Sequence, residues 1–424
     1  MVALLSDIRE IMRGNVLVLT VCSSLWRISI DIIWSYIGLY VIALGGEYET
    51  IGQVMAIGNL ASTLLYPLGG YIADYEGRIK IMAYMTYVYA FTFPIFVFTS
   101  SWQWVAVGMF MQSLVTFYIP AMQALMADSI PSNMRGLGFA ATMAIPGAFG
   151  IASPLIGGWL INQIGIKTAV RGLYATGFFV ALLVATLRYK YLKEVRIREG
   201  PGLNITVGRV PGLIIESYRD MVRTVKGASR SLQVYSLLVS AAAFFVSMVS
   251  PFWIIRATEI IKLNTWQWGT LGLINGAINV ILSFPAGKIV DRFNKRWVAG
   301  ISLILCSIPC LLYLRATTYL QVVILLAAST IPNTFINPAF QAIFIDKTPP
   351  DKRGRMIAAM GGAGIWVTGG AWATGILAMI SITLGTLLSG YIYRFNNQLP
   401  WFILSGAMAL IGVLMIVLVK DTEN

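Results

Sequence analysis

The chain reads as an all-α polytopic membrane protein, with twelve transmembrane helices in two pseudo-symmetric six-helix bundles. Three observations lead there: an apolar composition, a series of span-length apolar runs, and an internal repeat. Apolar residues make up 57% of the 424 residues, charged residues 12%, and the mean hydropathy is +0.75. A soluble surface carries roughly 25% charged residues to stay wet, so lipid is expected to cover most of the outside.

A bilayer core of about 30 Å takes about 20 apolar residues in helix. Runs of that size fall near 16–44, 50–73, 79–99, 102–127, 136–163 and 169–190. Six more fall near 231–262, 266–290, 297–316, 319–345, 354–392 and 399–419. The expected organisation is an N-terminal bundle over 1–190, a cytoplasmic linker loop over 191–230 and a C-terminal bundle over 231–424. The run at 354–392 is too long, about 56 Å as continuous helix. Glycine pairs at 361–362 and 369–370 can break it, and the expectation is one extended, kinked span with a flanking insertion. Two short spans would instead put the C-terminus outside and strand Lys420 on the wrong side.

The net charge of +13 forms no stripe of the kind nucleic acid needs. It falls in the gaps between runs, and about two dozen of the 31 basic residues lie on one side of the predicted topology. That side is then cytoplasmic, with both termini, in a multi-pass protein of the plasma membrane. The ten basic residues from Arg188 to Arg230, at the end of the sixth run and in the linker, would at most attract anionic headgroups. Cys22, Cys306 and Cys310 all lie inside apolar runs and histidine is absent, so no zinc or disulfide pattern is present. The first apolar run, from Val16, is too long for a cleavable signal peptide.

The halves repeat in sequence. Residues 119–128 read IPAMQALMAD and 337–346 read NPAFQAIFID, so Pro120, Gln123 and Asp128 fall on Pro338, Gln341 and Asp346 at an offset of 218. The same offset carries Arg135 onto Arg353, and one residue less carries Gly70 and Asp74 onto Gly287 and Asp291. Matching offsets at separate places point to a duplicated six-helix unit.

Between the second and third spans stands Gly70-Tyr71-Ile72-Ala73-Asp74-Tyr75-Glu76-Gly77-Arg78-Ile79-Lys80. It resembles the loop signature G-x-x-x-D-[RK]-x-G-[RK]-[RK] of the major facilitator superfamily (MFS). Tyr75 and Ile79 stand where a basic residue is usual. The second copy, from Gly287 to Arg296, keeps Asp291-Arg292 but has Asn294 at the glycine. The resemblance covers essentially the whole chain, and it implies the MFS fold and transport by alternating access. It also implies a conformational latch made of Gly70, Asp74, Gly77, Arg78 and Asp291, with Asp128–Arg135 and Asp346–Arg353 as matching latches. Physically, Gly70 admits a close helix approach, Gly77 a positive φ, and Asp74 can accept from N–H groups at a helix start. These residues can equally serve only to tie down a loop.

Ionisable groups at membrane depth are costly and mark function by default. Of the 18 acids, only Asp31 and Glu259 fall inside spans. Arg27 and Asp31 share a face with Trp34 at helical spacing, as expected for a helix lining a cavity. Three roles stay open: a static pair, proton exchange at Asp31, or an anion contact at Arg27. Arg256 and Glu259 are read as a rim ion pair. Further cavity candidates are Gln112, Tyr118, Asn333 and Asn337, with interhelical hydrogen bonding the alternative. In the fifth span, Gly150-Ile151-Ala152-Ser153-Pro154-Leu155-Ile156-Gly157-Gly158 partly resembles the G-x-x-x-G-P-x-x-G-G signature of the drug:proton antiporter branch, with Ser153 in place of a glycine and Gly150 one residue out of register with the first. Pro154 should kink the helix, and Gly157 and Gly158 should let it pack closely, as they also would in an ordinary kinked span.

The expected function is secondary active transport of a small organic solute, with proton-coupled efflux of lipophilic or cationic compounds in front. A sugar or organic-acid importer is the alternative and a membrane receptor a remote one. No phosphate-binding loop or nucleophilic constellation points to an enzyme. The expected partners are the solute, protons and membrane lipids, with no nucleic acid and no cofactor, for a protein acting as a monomer.

Overall fold

The computed structural model describes residues 9–76, 78–131, 134–194, 210–348, 353–361, 363–373 and 375–419. Each of the twelve apolar runs carries helix. Among the described residues, ten helices are long and apolar enough to cross a membrane, and a bent pair over 265–292 makes an eleventh.

The first run is broken into α1 (Gly14–Trp34) and α2 (Ile37–Ala43). It is followed by α3 (Tyr48–Glu76), which is outside that count, by α4 (Arg78–Ala90) with α5 (Phe93–Phe98), and by α6 (Trp102–Leu114) with α7 (Ile119–Ser129). The fifth run is broken into α8 (Arg135–Gly150) and α9 (Ser153–Ile164), and α10 (Ile166–Tyr191) ends the first half. Prolines account for several breaks: α5, α7 and α9 each begin with proline in the first turn. There its missing N–H costs nothing and its fixed φ suits a helix start.

The linker is not all loop. It contains α11 (Val210–Lys226), whose Tyr218 hydroxyl donates to the Thr63 carbonyl of α3 at 2.8 Å. The second half then runs through α12 (Arg230–Val249), α13 (Phe252–Glu259), α14 (Thr265–Arg292), α15 (Lys295–Leu312) and α16 (Tyr319–Lys347). The break between α12 and α13, at Ser250-Pro251, repeats the one between α1 and α2. Helices α14 and α16 start with reciprocal capping boxes, Asn264 with Gln267 and Thr318 with Gln321, which satisfy two otherwise unpaired N–H groups each.

The overlong run departs from expectation. It holds one spanning helix with a flanking insertion, not two spans, but the insertion contains strand, so the chain is not purely α. A short helix, α17 (Arg353–Met360), is followed by a β-hairpin, β1 (Ala363–Trp366) and β2 (Gly370–Ala373), and only then by a spanning helix, α18 (Ile376–Phe395). The chain closes with α19 (Leu399–Leu418). The hairpin enters beside the Ser236 end of α12, where Ser236 bonds the Met360 carbonyl at 3.4 Å. It turns where Ser250 donates to the Gly369 carbonyl at 3.1 Å, and it returns. It is a re-entrant element reaching about mid-depth.

Main chain inside a membrane protein must find partners, and β1 finds them on α16. Asn337 accepts from Ile365 N–H at 2.8 Å and donates to its carbonyl at 3.1 Å, while Asn333 accepts from Val367 N–H at 3.1 Å. Two glycines make the hairpin possible. Gly370 has φ of +126°, and a Cβ on Gly364 would lie 2.0 Å from the Trp372 ring.

Candidate substrate cavity and gate

Helices α3 and α18, and α9 and α14, carry the contact between the halves, and glycines set how close they come. A Cβ on Gly390 of α18 would lie 2.3 Å from the Tyr48 carbonyl, and one on Gly158 of α9 would lie 2.1 Å from the Thr265 carbonyl. On α14, Gly269 and Gly272 receive Pro154 in the same way. The Thr265 hydroxyl donates to the Gly158 carbonyl at 2.9 Å, and the Tyr36 hydroxyl to the Pro154 carbonyl at 2.5 Å. Pro154 and Gly158 therefore form the crossing point of the halves, while Gly157 seats α9 on Ile32 and Tyr36.

The closed side is the one away from the linker helix, here the far side. There Arg394 is held by Glu49 at 2.6 Å and Glu47 at 2.8 Å, and the Tyr48 hydroxyl donates to Glu259 at 2.6 Å. Deeper in, Gln53 donates to the Tyr391 hydroxyl at 2.7 Å and Asn59 to the Thr386 hydroxyl at 3.4 Å. Among the described residues, side-chain hydrogen bonds between α3 and the second half's spanning helices end there. Glu259 is thus a cross-half partner and does not pair with Arg256, contrary to the rim-pair expectation. Arg256 is buried, donates to the Leu314 carbonyl at 2.7 Å and lies over the Trp401 ring.

Arg27 and Asp31 meet on α1 at 3.0 Å, with their side chains 57% and 34% exposed, so the pair is reachable from an open space. It lies one turn before the α1–α2 break and against the α8–α9 break. Ser153 donates to the Arg27 carbonyl at 3.2 Å, and a Cβ on Gly150 would touch the Asp31 carboxylate at 3.5 Å. Discontinuous helices beside a charged pair are a recurrent way to build a mid-membrane site. Half-exposed Trp34 and buried Gln112 line one small apolar cavity with Ile30, Ile33, Tyr89 and Tyr174. Within it the Gln112 Nε2 has no hydrogen-bond partner.

Other expected cavity residues have structural jobs. Asn333 and Asn337 bind the hairpin's main chain. Tyr118 is buried under the Arg188 guanidinium at 5.4 Å. Arg188, expected among the cytoplasmic-side charges at the end of the sixth run, is buried and donates to the Thr86 hydroxyl at 2.7 Å. Of the latch residues, Gly77 lies outside the described residues, as do the side-chain surroundings of Gly70, Asp74, Arg78, Arg135 and Arg353. Asp128 is half-buried, Asp291 is exposed, and Asp346 is bound to Lys295, from the motif's second copy. Sequence reading missed the far-side gate, because Glu47, Glu49 and Arg394 read as ordinary loop charges. The nearby small residues Gly52 and Gly390 were the available signal.

The profile of the Major Facilitator Superfamily matches residues 19–364 and 235–424. Among curated proteins, the chain is similar to a Na(+), Li(+), K(+)/H(+) antiporter of Planococcus maritimus, 23% identical over 73% of this chain and 76% of that one. It is also similar to a multi-drug resistance efflux pump PmrA homolog of Lactococcus lactis, 23% identical over 78% of this chain and 79% of that one. Among solved structures, a D-xylose-proton symporter superposes with a TM-score of 0.68 at 14% identity, over 96% of this chain and 97% of that chain. Profile, relatives and fold agree: the chain belongs to the Major Facilitator Superfamily of membrane transporters.

Proposed function

We propose that this transporter exports lipophilic organic cations in exchange for protons by alternating access. The observation that carries this reading is the half-closed interface: the halves are tied on the far side, while the Arg27–Asp31 pair stays accessible. In this reading residues 1–190 and 231–424 rock as two bundles about the Pro154–Gly158 crossing. The far side is extracellular, both termini are cytoplasmic, and the protein lies in the plasma membrane. Asp31 is the group that a proton and a cationic solute occupy in turn, because one carboxylate cannot serve both at once. Arg27 holds it when neither is bound. Asp74, Asp128, Asp291 and Asp346 act with their basic partners as linker-side latches, remade when that side closes. The names of curated relatives, multidrug efflux pumps and a cation/proton antiporter, support exchange over import.

The test uses purified protein in liposomes with an imposed pH gradient, screened against organic cations, sugars and organic acids. Gradient-driven movement of cations is expected. Movement only of sugars or acids would overturn the reading.

A further inference from the structure

A proline interrupts the hydrogen-bond ladder of α3, and the linker helix fills the gap. Within α3 the Thr63 carbonyl would accept from the N–H four residues on. That residue is Pro67, which has no N–H to give. A main-chain acceptor freed in this way inside a membrane bundle must find another donor. It finds the Tyr218 hydroxyl of α11, at 2.8 Å. Thr63 stands one turn beyond Asn59, where the side-chain bonds from α3 to the second half's spanning helices end.

The C-terminal end of α11 is held by the second half. The last carbonyls of a helix have no partner within it. Gln233 of α12 donates its side-chain amide to the Val225 carbonyl at 2.9 Å and to the Ala228 carbonyl, just past the helix, at 3.2 Å. Helix α11 also packs along α17, the short helix that leads into the hairpin. From Tyr218 to Val225 is about 10 Å of helix, and a helix does not stretch. So α11 is bonded to the first half at its middle and to the second half at its end, on the side opposite the Glu49–Arg394 pair.

We propose that α11 is a strut that holds the linker side open. Closing that side brings α3 toward the second half. Because Gln233 and α17 fix α11 to the second half, it then has to give up Thr63. The Tyr218–Thr63 bond is made in the open state alone and favours that state by its differential contact. The far-side pair and the strut thus stabilise one state from opposite ends of the molecule. The inference rests on the rocking of the two bundles and is independent of cargo and of proton coupling.

The test is a distance measurement by pulsed electron spin resonance on the full-length protein in lipid nanodiscs, with no solute and no gradient. Spin labels replace Tyr191 in the first half and Phe293 in the second, both exposed, while the native cysteines Cys22, Cys306 and Cys310 are buried. Tyr218→Phe keeps the ring and loses the donor. It should raise the ratio of short to long distances, linker side closed over open, by roughly fivefold, the worth of one hydrogen bond. Gln233→Leu frees the other anchor and should shift the ratio the same way. Pro67→Ala restores the missing N–H, so adding Tyr218→Phe to it should change little. Gly158→Val reports rocking by itself, because it crowds the crossing and leaves the strut alone. Ratios equal to wild type in both Tyr218→Phe and Gln233→Leu would overturn the strut, and a shift in Gly158→Val would then leave the rocking of the bundles standing. No short-distance population in any of these proteins would overturn the rocking, and the strut with it.

Discussion

Glu49 in the first half lies 2.6 Å from Arg394 in the second, and this pair closes the far side of the molecule together with Glu47. One oxygen of Glu49 is buried without a partner, so its carboxylate depends on the arginine to stay comfortable inside the interface. A pair made only when the far side is closed favours that state by its differential contact. Glu49→Gln and Arg394→Gln should each raise the far-side-open population. Spin labels on the far-side turns of the two halves would show a longer distance in the variants. Distance distributions equal to wild type would assign the pair no gating role.

Gly158 makes a sharper test, because it involves no charge. A side chain there would run into the Thr265 carbonyl at 2.1 Å, and backbone cannot yield as a flexible side chain can. Overpacking costs about 1–3 kcal/mol, here only in the closed state. Gly158→Val should shift the equilibrium toward far-side-open by roughly tenfold. Exchange transport should fall by a similar factor while the protein stays folded. Normal exchange in this variant would show that the crossing can loosen without penalty.

Asn333 and Asn337 are expected to matter for stability rather than for substrate choice. Asn337→Leu leaves the N–H of Ile365 unmet inside the bundle and its carbonyl only the longer bond from Asn333, at 3.4 Å, at a cost of about 1–3 kcal/mol. Thermal unfolding in detergent should move down by several degrees, with the ranking of transported solutes unchanged. An altered solute ranking at unchanged stability would return both residues to the cavity.

The helical spans were legible because apolar composition and length are what a bilayer demands. The hairpin was not. Hydropathy counts apolar side chains, and the Gly-, Trp- and Ala-rich string from 361 to 375 scores like a helix while its glycines favour another backbone. The four-residue spacing of Asn333 and Asn337 showed a shared polar face but could not show that a strand would fill it. The Arg27–Asp31 pair was legible because helical geometry alone brings the two together. The far-side gate depends on contacts between residues about 345 apart in the chain, which no local pattern encodes. Arg188 looked like one more cytoplasmic-side charge, since a sequence does not say that its helix end is covered by Tyr118 and Thr86.

The measurement that tests the account most directly compares wild type with Asp31→Asn in liposomes, under an imposed pH gradient and in gradient-free counterflow. Asp31 is predicted to link proton and solute, so the variant should lose gradient-driven movement of an organic cation while still exchanging solute for solute. Undiminished gradient-driven transport by Asp31→Asn would contradict the account.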